Sequence, residues 1–241
     1  MSNIEAKLSG RHHLDDGATV WRVAQGEVHV FLARSADSGV GSRHHLWTAR
    51  AGDLLFGCPP IDGHLLVATE TLGTRVTMTP LEAWPPQEEP ARKVELLAFE
   101  KWLAGLLHGV AKLVTPRPAV SDEISPAAAK QILKNTVLGG SAPLTWVAGL
   151  GNASLFMGTE NVEPGSVVPL TPDSWAITME SVEARGLDVD TLFREGSVQQ
   201  LLQDTHGLIL RTAITNARLA DVDSYDRLQY RASASSRRRT E

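Results

Sequence analysis

Cysteine is almost missing from this 241-residue chain, and the single Cys58 excludes an intrachain disulfide and a cysteine-based zinc knuckle. Such usage fits a reducing compartment. Long apolar runs are missing too. The longest, around Leu96–Val114, is broken by Glu100, Lys101, His108 and Lys112, so it is not a membrane span. The polar start, Met1–Gly17, has no apolar segment of the kind a secretory signal needs. There is no G-x-x-x-x-G-K-[ST] phosphate loop, no G-x-S-x-G nucleophile elbow and no zinc-protease helix motif, so the chain reads as a non-enzyme. Basic charge is also short in the body. The net charge is −5, but from Arg227 to the end there are five arginines and one glutamate, which leaves 18 basic against 27 acidic residues before that stretch. An acidic body argues against nucleic acid as a partner, because phosphate recognition needs a basic face.

What is present is globular: 42% hydrophobic and 21% charged residues. Period-two alternation predicts short strands at Ala18–Val23, Glu27–Ala33, His44–Ala49, Leu54–Phe56, His64–Thr69 and Thr74–Leu81, with turns at Gln25-Gly26 and Ala51-Gly52-Asp53. The period then becomes helical. Leu96, Phe99, Leu103, Leu106, Val110 and Leu113 recur at three- and four-residue steps, widened by Trp102 and Leu107, until Pro116 and Pro118. That stripe is broader than one small β-domain needs, and part of it is expected to face a second domain or a partner chain. A proline-containing linker over 117–128 leads to a second, weaker β-block from Ile132 to Asp190. A last helix opens on a Ser197/Gln200 capping box, with Gly207 weakening it.

Trp21, Gly26 and Phe31 recur at the same offsets as Trp146, Gly151 and Phe156. The resulting order of β-block, helix, β-block, helix is that of a duplicated unit. The expected fold class is therefore mainly β with helices: two β-roll or jelly-roll domains, each followed by an α-helix. Their bounds are a first roll over 1–90, a helix over 91–116, a degenerate second roll over 117–195, a helix over 196–230 and a basic tail over 231–241.

The histidine pairs His12-His13 and His44-His45 each point to opposite faces of a strand, so they cannot present two rings to one metal as His-x-His does. No metal and no cofactor is expected. Cys58 reads as a small buried side chain rather than a nucleophile, since no base is identifiable beside it.

The stretches Trp21–Phe31, Arg43–Leu46, Ala51–Gly57, Trp146-Val147 and Pro169–Trp175 together resemble the N-terminal cytoplasmic region of NHLM/NHLP-type bacteriocin-exporting ABC transporters. The resemblance implies membrane helices and an ATPase domain beyond Glu241. It also implies a regulatory or docking role at the inner face of the membrane. The partners it implies are those transporter domains, a leader-bearing peptide cargo and a second copy in a homodimer. On that reading Arg237, Arg238 and Arg239 lie next to the membrane. More broadly, Gly52-Asp53-x-x-Phe56-Gly57 is similar to the entry of the phosphate cassette in cyclic-nucleotide-binding domains. There a glutamate takes the ribose and an arginine the cyclic phosphate. Here Cys58-Pro59-Pro60 follows, and Arg75 is the one arginine between it and the helix. Gly52, Asp53, Phe56, Gly57 and Arg75 thus mark a degenerate ligand pocket. The alternative is a cyclic-nucleotide sensor or a catabolite-activator-type regulator, which needs a helix-turn-helix after Pro116.

Overall fold

A computed structural model describes residues 4–6, 11–35, 43–114, 117–195 and 197–237, and within these the side chains of all but residues 4–6, 11, 195 and 220–237. The first eight strands are β1 (Ile4–Ala6), β2 (Arg11–His13), β3 (Thr19–Gln25), β4 (Glu27–Arg34), β5 (Arg43–Arg50), β6 (Leu54–Phe56), β7 (His64–Glu70) and β8 (Arg75–Pro80). Helix α1 spans Ala91–Ala111. Nine strands follow: β9 (Asp122–Ile124), β10 (Ala129–Ile132), β11 (Val137–Gly140), β12 (Thr145–Ala148), β13 (Ser154–Phe156), β14 (Glu160–Asn161), β15 (Val168–Leu170), β16 (Trp175–Thr178) and β17 (Val182–Leu187). Helices α2 (Val189–Glu195) and α3 (Val198–Arg237) complete the described chain.

The two blocks are built to one plan. The first has sheets in the orders β1-β8-β3-β6 and β2-β7-β4-β5, and the second has β10-β17-β12-β15 and β11-β16-β13-β14, with β9 added beside β11. Matching the strands in chain order superimposes one pattern on the other. Both blocks are β-rolls, and each is followed by a helix. Trp21 faces Leu55 of β6 and Met78 of β8, while Trp146 faces Pro169 of β15 and Leu187 of β17. These are the same rungs, and both indoles are buried.

The third member of the repeat does not correspond. Phe31 is half-buried on an outer face with His29 and His45, its ring 5.3 Å from that of His45, whereas Phe156 is fully buried. A side-chain period of two makes a one-residue shift reverse the face. The first copy turns tightly at Gly26 and carries a bulge between Val30 and Phe31, while the second inserts a 3-10 turn over Gly151–Ala153. Equal spacing in sequence therefore ends on opposite sides of the sheet.

Gly26 has φ +82°, and a Cβ there would lie 2.5 Å from Thr74 Oγ1, so only glycine makes this hairpin. Helix α1 is the spine of the molecule. Leu96, Phe99, Trp102, Leu103, Leu106, Leu107 and Val110 are all buried, against β5 and β6 of the first roll and against α2 and α3. Phe99 also stacks on Trp146 of the second roll at 19° and 6.0 Å. The wide stripe is thus consumed inside the chain. Each such side chain contributes roughly 1.5–3 kcal/mol on burial.

Five expectations need correction. The polar start holds β1, which pairs with β8, and β2, which pairs with β7; at three residues each they are too short for a period to mark them as strands. The 117–128 linker contains β9, held parallel to β11. Helix α1 ends at Ala111, before Pro116, so Leu113 lies beyond it. Of the capping box only half forms. Ser197 Oγ accepts from the Gln200 backbone N–H at 3.4 Å, but the Gln200 side chain donates to Asp204 instead. Gly207 does not interrupt α3, which runs through the expected tail as far as Arg237. Arg238 and Arg239 lie outside the described residues, and of Arg237 only the backbone is described.

Candidate functional site

The segment between β6 and β7 is where the resemblance locates a phosphate cassette. Here it is a short loop over residues 57–63 with no helix. Its counterpart between β15 and β16 is shorter still, residues 171–174. Without a helix start at that point, the roll offers no row of free backbone N–H groups to a phosphate there. The first loop is also closed from the opposite side. The Cys58 N–H donates to Leu14 O at 2.9 Å, and a Cβ on Gly57 would sit 2.0 Å from Asp16 O.

The Gly52–Gly57 residues are engaged within the chain. Gly52, at φ +95°, forms the β5–β6 turn, and its carbonyl accepts from Arg22 Nη1 at 3.1 Å. The other arm of Arg22 reaches Glu95 of α1. Glu95 also accepts from Trp84 Nε1 at 2.9 Å. Asp53 is 5% exposed; one carboxylate oxygen accepts from the Arg50 N–H at 2.8 Å, the other from Lys101 Nζ of α1 at 2.5 Å. Phe56 packs edge-on against Trp84 and Phe99. The turn is clamped to α1 on both sides of its tip. What resembles a ligand motif in sequence works as a joint between roll and helix.

Arg75 is not part of this group. It lies at the Gln25 rung of β3 and donates to Gln25 Oε1 at 2.6 Å, while Phe56 lies at the Val20 rung. Five residues of strand separate those rungs, about 17 Å. Gly52, Asp53, Phe56 and Gly57 are thus brought together, and Arg75 is held apart.

In the second roll a linker cation covers the β15–β16 loop. Arg117 pairs with Asp173 at 3.2 Å, donates to Pro172 O and lies over the Trp175 ring at 5.7 Å. His108 Nδ1 meets the second Asp173 oxygen at 2.8 Å.

Among the histidines, His29 and His45 share Thr48 Oγ1, each at 3.0 Å, and His12 meets the Trp21 edge at 5.8 Å. No group of three or more His, Cys, Asp or Glu able to hold a metal occurs among the described residues. Burial pushes the Cys58 thiol up to about 11, so it is not a thiolate at neutral pH.

Two grooves remain. The larger, about 970 Å³, lies between the β8–α1 connection and α2, and beside it Arg92 and Arg194 share Asp190. The second, about 460 Å³, runs between α1 and the second roll and contains Glu100. Sequence reasoning treated Glu100 only as an interruption of an apolar run. Its carboxyl is pushed up to about 7, first by burial, with the negative Asp188 adding to it against a hydrogen bond from Trp146. His206 was also missed. It is fully buried on α3, accepts from Trp102 Nε1 at 2.8 Å, and is held down at about 4 by burial. A polar residue inside an apolar helical stripe is the signal that would have flagged both.

Comparison with known proteins adds little to this geometry. No family model matches the chain, and no curated protein does. Among solved structures it is similar to a CooA variant from Carboxydothermus hydrogenoformans, with 21% identity over 47% of this chain and 74% of that one, at a TM-score of 0.35. It is also similar to the imidazole-bound CooA of the same organism, with 19% identity over 46% of this chain and 50% of that one, at 0.33. Cyclic-AMP-bound PfPKA-R is similar over 92% of this chain and 81% of its own, with 10% identity and a TM-score of 0.29. No helix among the described residues is long and apolar enough to cross a membrane.

Proposed function

We propose that this chain is a non-catalytic docking module of a peptide-exporting ABC transporter, working through its surfaces rather than through ligands held inside its rolls. One observation supports this most. The turn that resembles a cassette entry is clamped to α1 through Asp53–Lys101 and Arg22–Glu95, and short loops stand where a phosphate-binding helix would be needed. A buried carboxylate already held by a lysine has no reason to release it for a ribose hydroxyl, and the lysine so held is not free for a phosphate. The sequence resemblance supplies the setting: the cytoplasmic face of a membrane, with a leader-bearing peptide and the transporter's membrane and ATPase domains as partners. Arg237 to Arg239 would then face anionic headgroups, and homodimerisation would follow from pairing of the membrane halves.

The rival catabolite-activator arrangement needs a helix-turn-helix after the first roll's helix, and β9 to β17 occupy that place. A cyclic-nucleotide sensor is the reading the experiment must exclude. Calorimetric titration of the whole chain with cyclic AMP, cyclic GMP and a nitrile-hydratase-like leader peptide separates the two. The docking reading expects heat only from the leader. Micromolar cyclic-nucleotide binding, or a leader that does not bind, would overturn it.

A further inference from the structure

The outer side of α1 is unusual for a helix buried on three sides. Val94 is 59% exposed and Leu97 is 55% exposed, and half-buried Ala104 continues the line two turns further on, past the exposed stem of Lys101. From Val94 to Ala104 this strip is ten residues, about 15 Å of helix. Below Leu97 it drops into the 460 Å³ groove, whose far wall is Pro143, Leu144, Leu187 and Val189. Leu144 is 6% exposed, and beneath it Trp146 is fully buried.

Glu100 stands in this apolar cleft without a cation. Glu100 Oε1 accepts from Trp146 Nε1 at 3.3 Å, and no other hydrogen bond or ion pair reaches the carboxyl among the described residues. Lys101 borders the groove but is turned to Asp53 of the first roll at 2.5 Å. Asp188, on the opposite lip, spends both oxygens on Thr191, so its negative charge adds to that of Glu100 and cancels nothing.

We infer that this groove is a docking site for an apolar peptide segment that carries one lysine or arginine, its side chains lying along Val94, Leu97 and Ala104 and its cation paired with Glu100. The inference rests on the docking reading and deepens it by naming the chemistry of the partner. A carboxylate half out of water gains more from a cation than one on the open surface, because fewer solvent dipoles compete. A small amine would satisfy Glu100 but leave most of the 15 Å strip in water, so the length of the strip favours a peptide.

The charge in the cleft also sets a pH dependence. The groups facing Glu100 are Lys101 on its own helix, the indole of Trp146 on β12 and Asp188 at the β17–α2 junction. Burial and Asp188 raise the Glu100 carboxyl to about 7, while the Thr191 hydrogen bonds hold Asp188 below the ordinary carboxylate range. Binding of a cation should therefore strengthen as pH rises through 7 and weaken below it.

The test is fluorescence anisotropy with the whole chain and three short labelled Leu/Ala peptides that differ at one central position: Lys, Gln or Glu. The Lys peptide should bind about tenfold more tightly than the Gln peptide, the order of one charge-assisted pair, with the Glu peptide weakest. In Glu100→Gln, which keeps an acceptor for Trp146, the gap between Lys and Gln peptides should close. Leu97→Ser, at a half-exposed position that does not threaten the fold, should weaken all three. Equal affinity for Lys and Gln peptides, a gap that survives Glu100→Gln, or no binding would overturn the inference. So would displacement of the Lys peptide by hexylammonium at equal concentration, which would make the occupant a small amine. A leader peptide that binds with affinity unchanged by Glu100→Gln and Leu97→Ser would sink this groove and leave the docking reading standing.

Discussion

The indole N–H of Trp102 on α1 donates to Nε2 of His206 on α3 across 2.8 Å, joining residues 104 apart in sequence at a point closed to solvent. An indole can only donate, so Nε2 accepts and the imidazole is neutral. Burial holds it at about 4, below the usual 6.5.

A histidine with a lowered folded pKa contributes stability that is complete above its unfolded value and is lost as pH falls through the folded one. Acid should therefore destabilise the chain between about pH 6.5 and pH 4, by about 3 kcal/mol across the window if the whole shift is realised. Urea unfolding at a series of pH values should show this slope. His206→Gln, whose amide oxygen can still accept from Trp102, should flatten it. A wild-type curve with no greater slope than the variant's would place the histidine in water.

Glu100 acts in the opposite sense. Its raised folded pKa means that the protonated form is preferred in the fold, so stability declines as pH rises from the ordinary carboxylate range through about 7. Glu100→Gln should stabilise the chain at about pH 8, by about 1 kcal/mol after discounting for solvent screening of a half-buried group, and change little at about pH 5. Thermal melts at the two pH values read the difference, and a variant that melts lower at the higher pH would contradict it.

Two glycines one turn apart let α1 lie directly on β5. A Cβ on Gly109 would sit 2.2 Å from Leu46 O, and one on Gly105 would sit 2.4 Å from the Trp47 ring nitrogen. Neither glycine has a positive φ, so the constraint is contact and not conformation. In an open helix Gly→Ala stabilises by about 0.5–1 kcal/mol. At Gly109 the sign should reverse, since backbone must move, with a loss of about 1–3 kcal/mol by chemical denaturation. At Gly105 the loss should be smaller, because a side chain can yield.

The buried stripe predicts the result of truncation. Leu103 and Leu106 are fully buried between rolls and helices, so Leu103→Ala should cost about 2–5 kcal/mol. Leu103→Glu with Leu106→Glu should unfold the chain rather than release a dimer. Circular dichroism and light scattering on the same sample separate these outcomes.

Much of the architecture is local and is therefore written in the chain. The strands from Thr19 to Pro80 follow alternation and turn chemistry at Gly26 and Gly52. Helix α1 follows its apolar period from Leu96 to Val110, and the paired tryptophans at 21 and 146 mark the duplication because each stands at the same rung. The edge strands β1, β2 and β9 are held by ladders to distant partners, and at three residues each they are too short for a period to be read. The fate of Phe31 and Phe156 turned on one bulge and one inserted turn, which spacing cannot register. The Gly52–Gly57 element has the same residues whether it faces a ligand or a helix. Only the arrival of Lys101 and Glu95, from 48 residues beyond Asp53 and 73 beyond Arg22, made it a joint. Glu100 and His206 are polar residues whose chemistry is set by how much water the fold leaves around them. Composition and periodicity determine which faces must be buried; which charges lose their solvent depends on how two rolls and three helices meet.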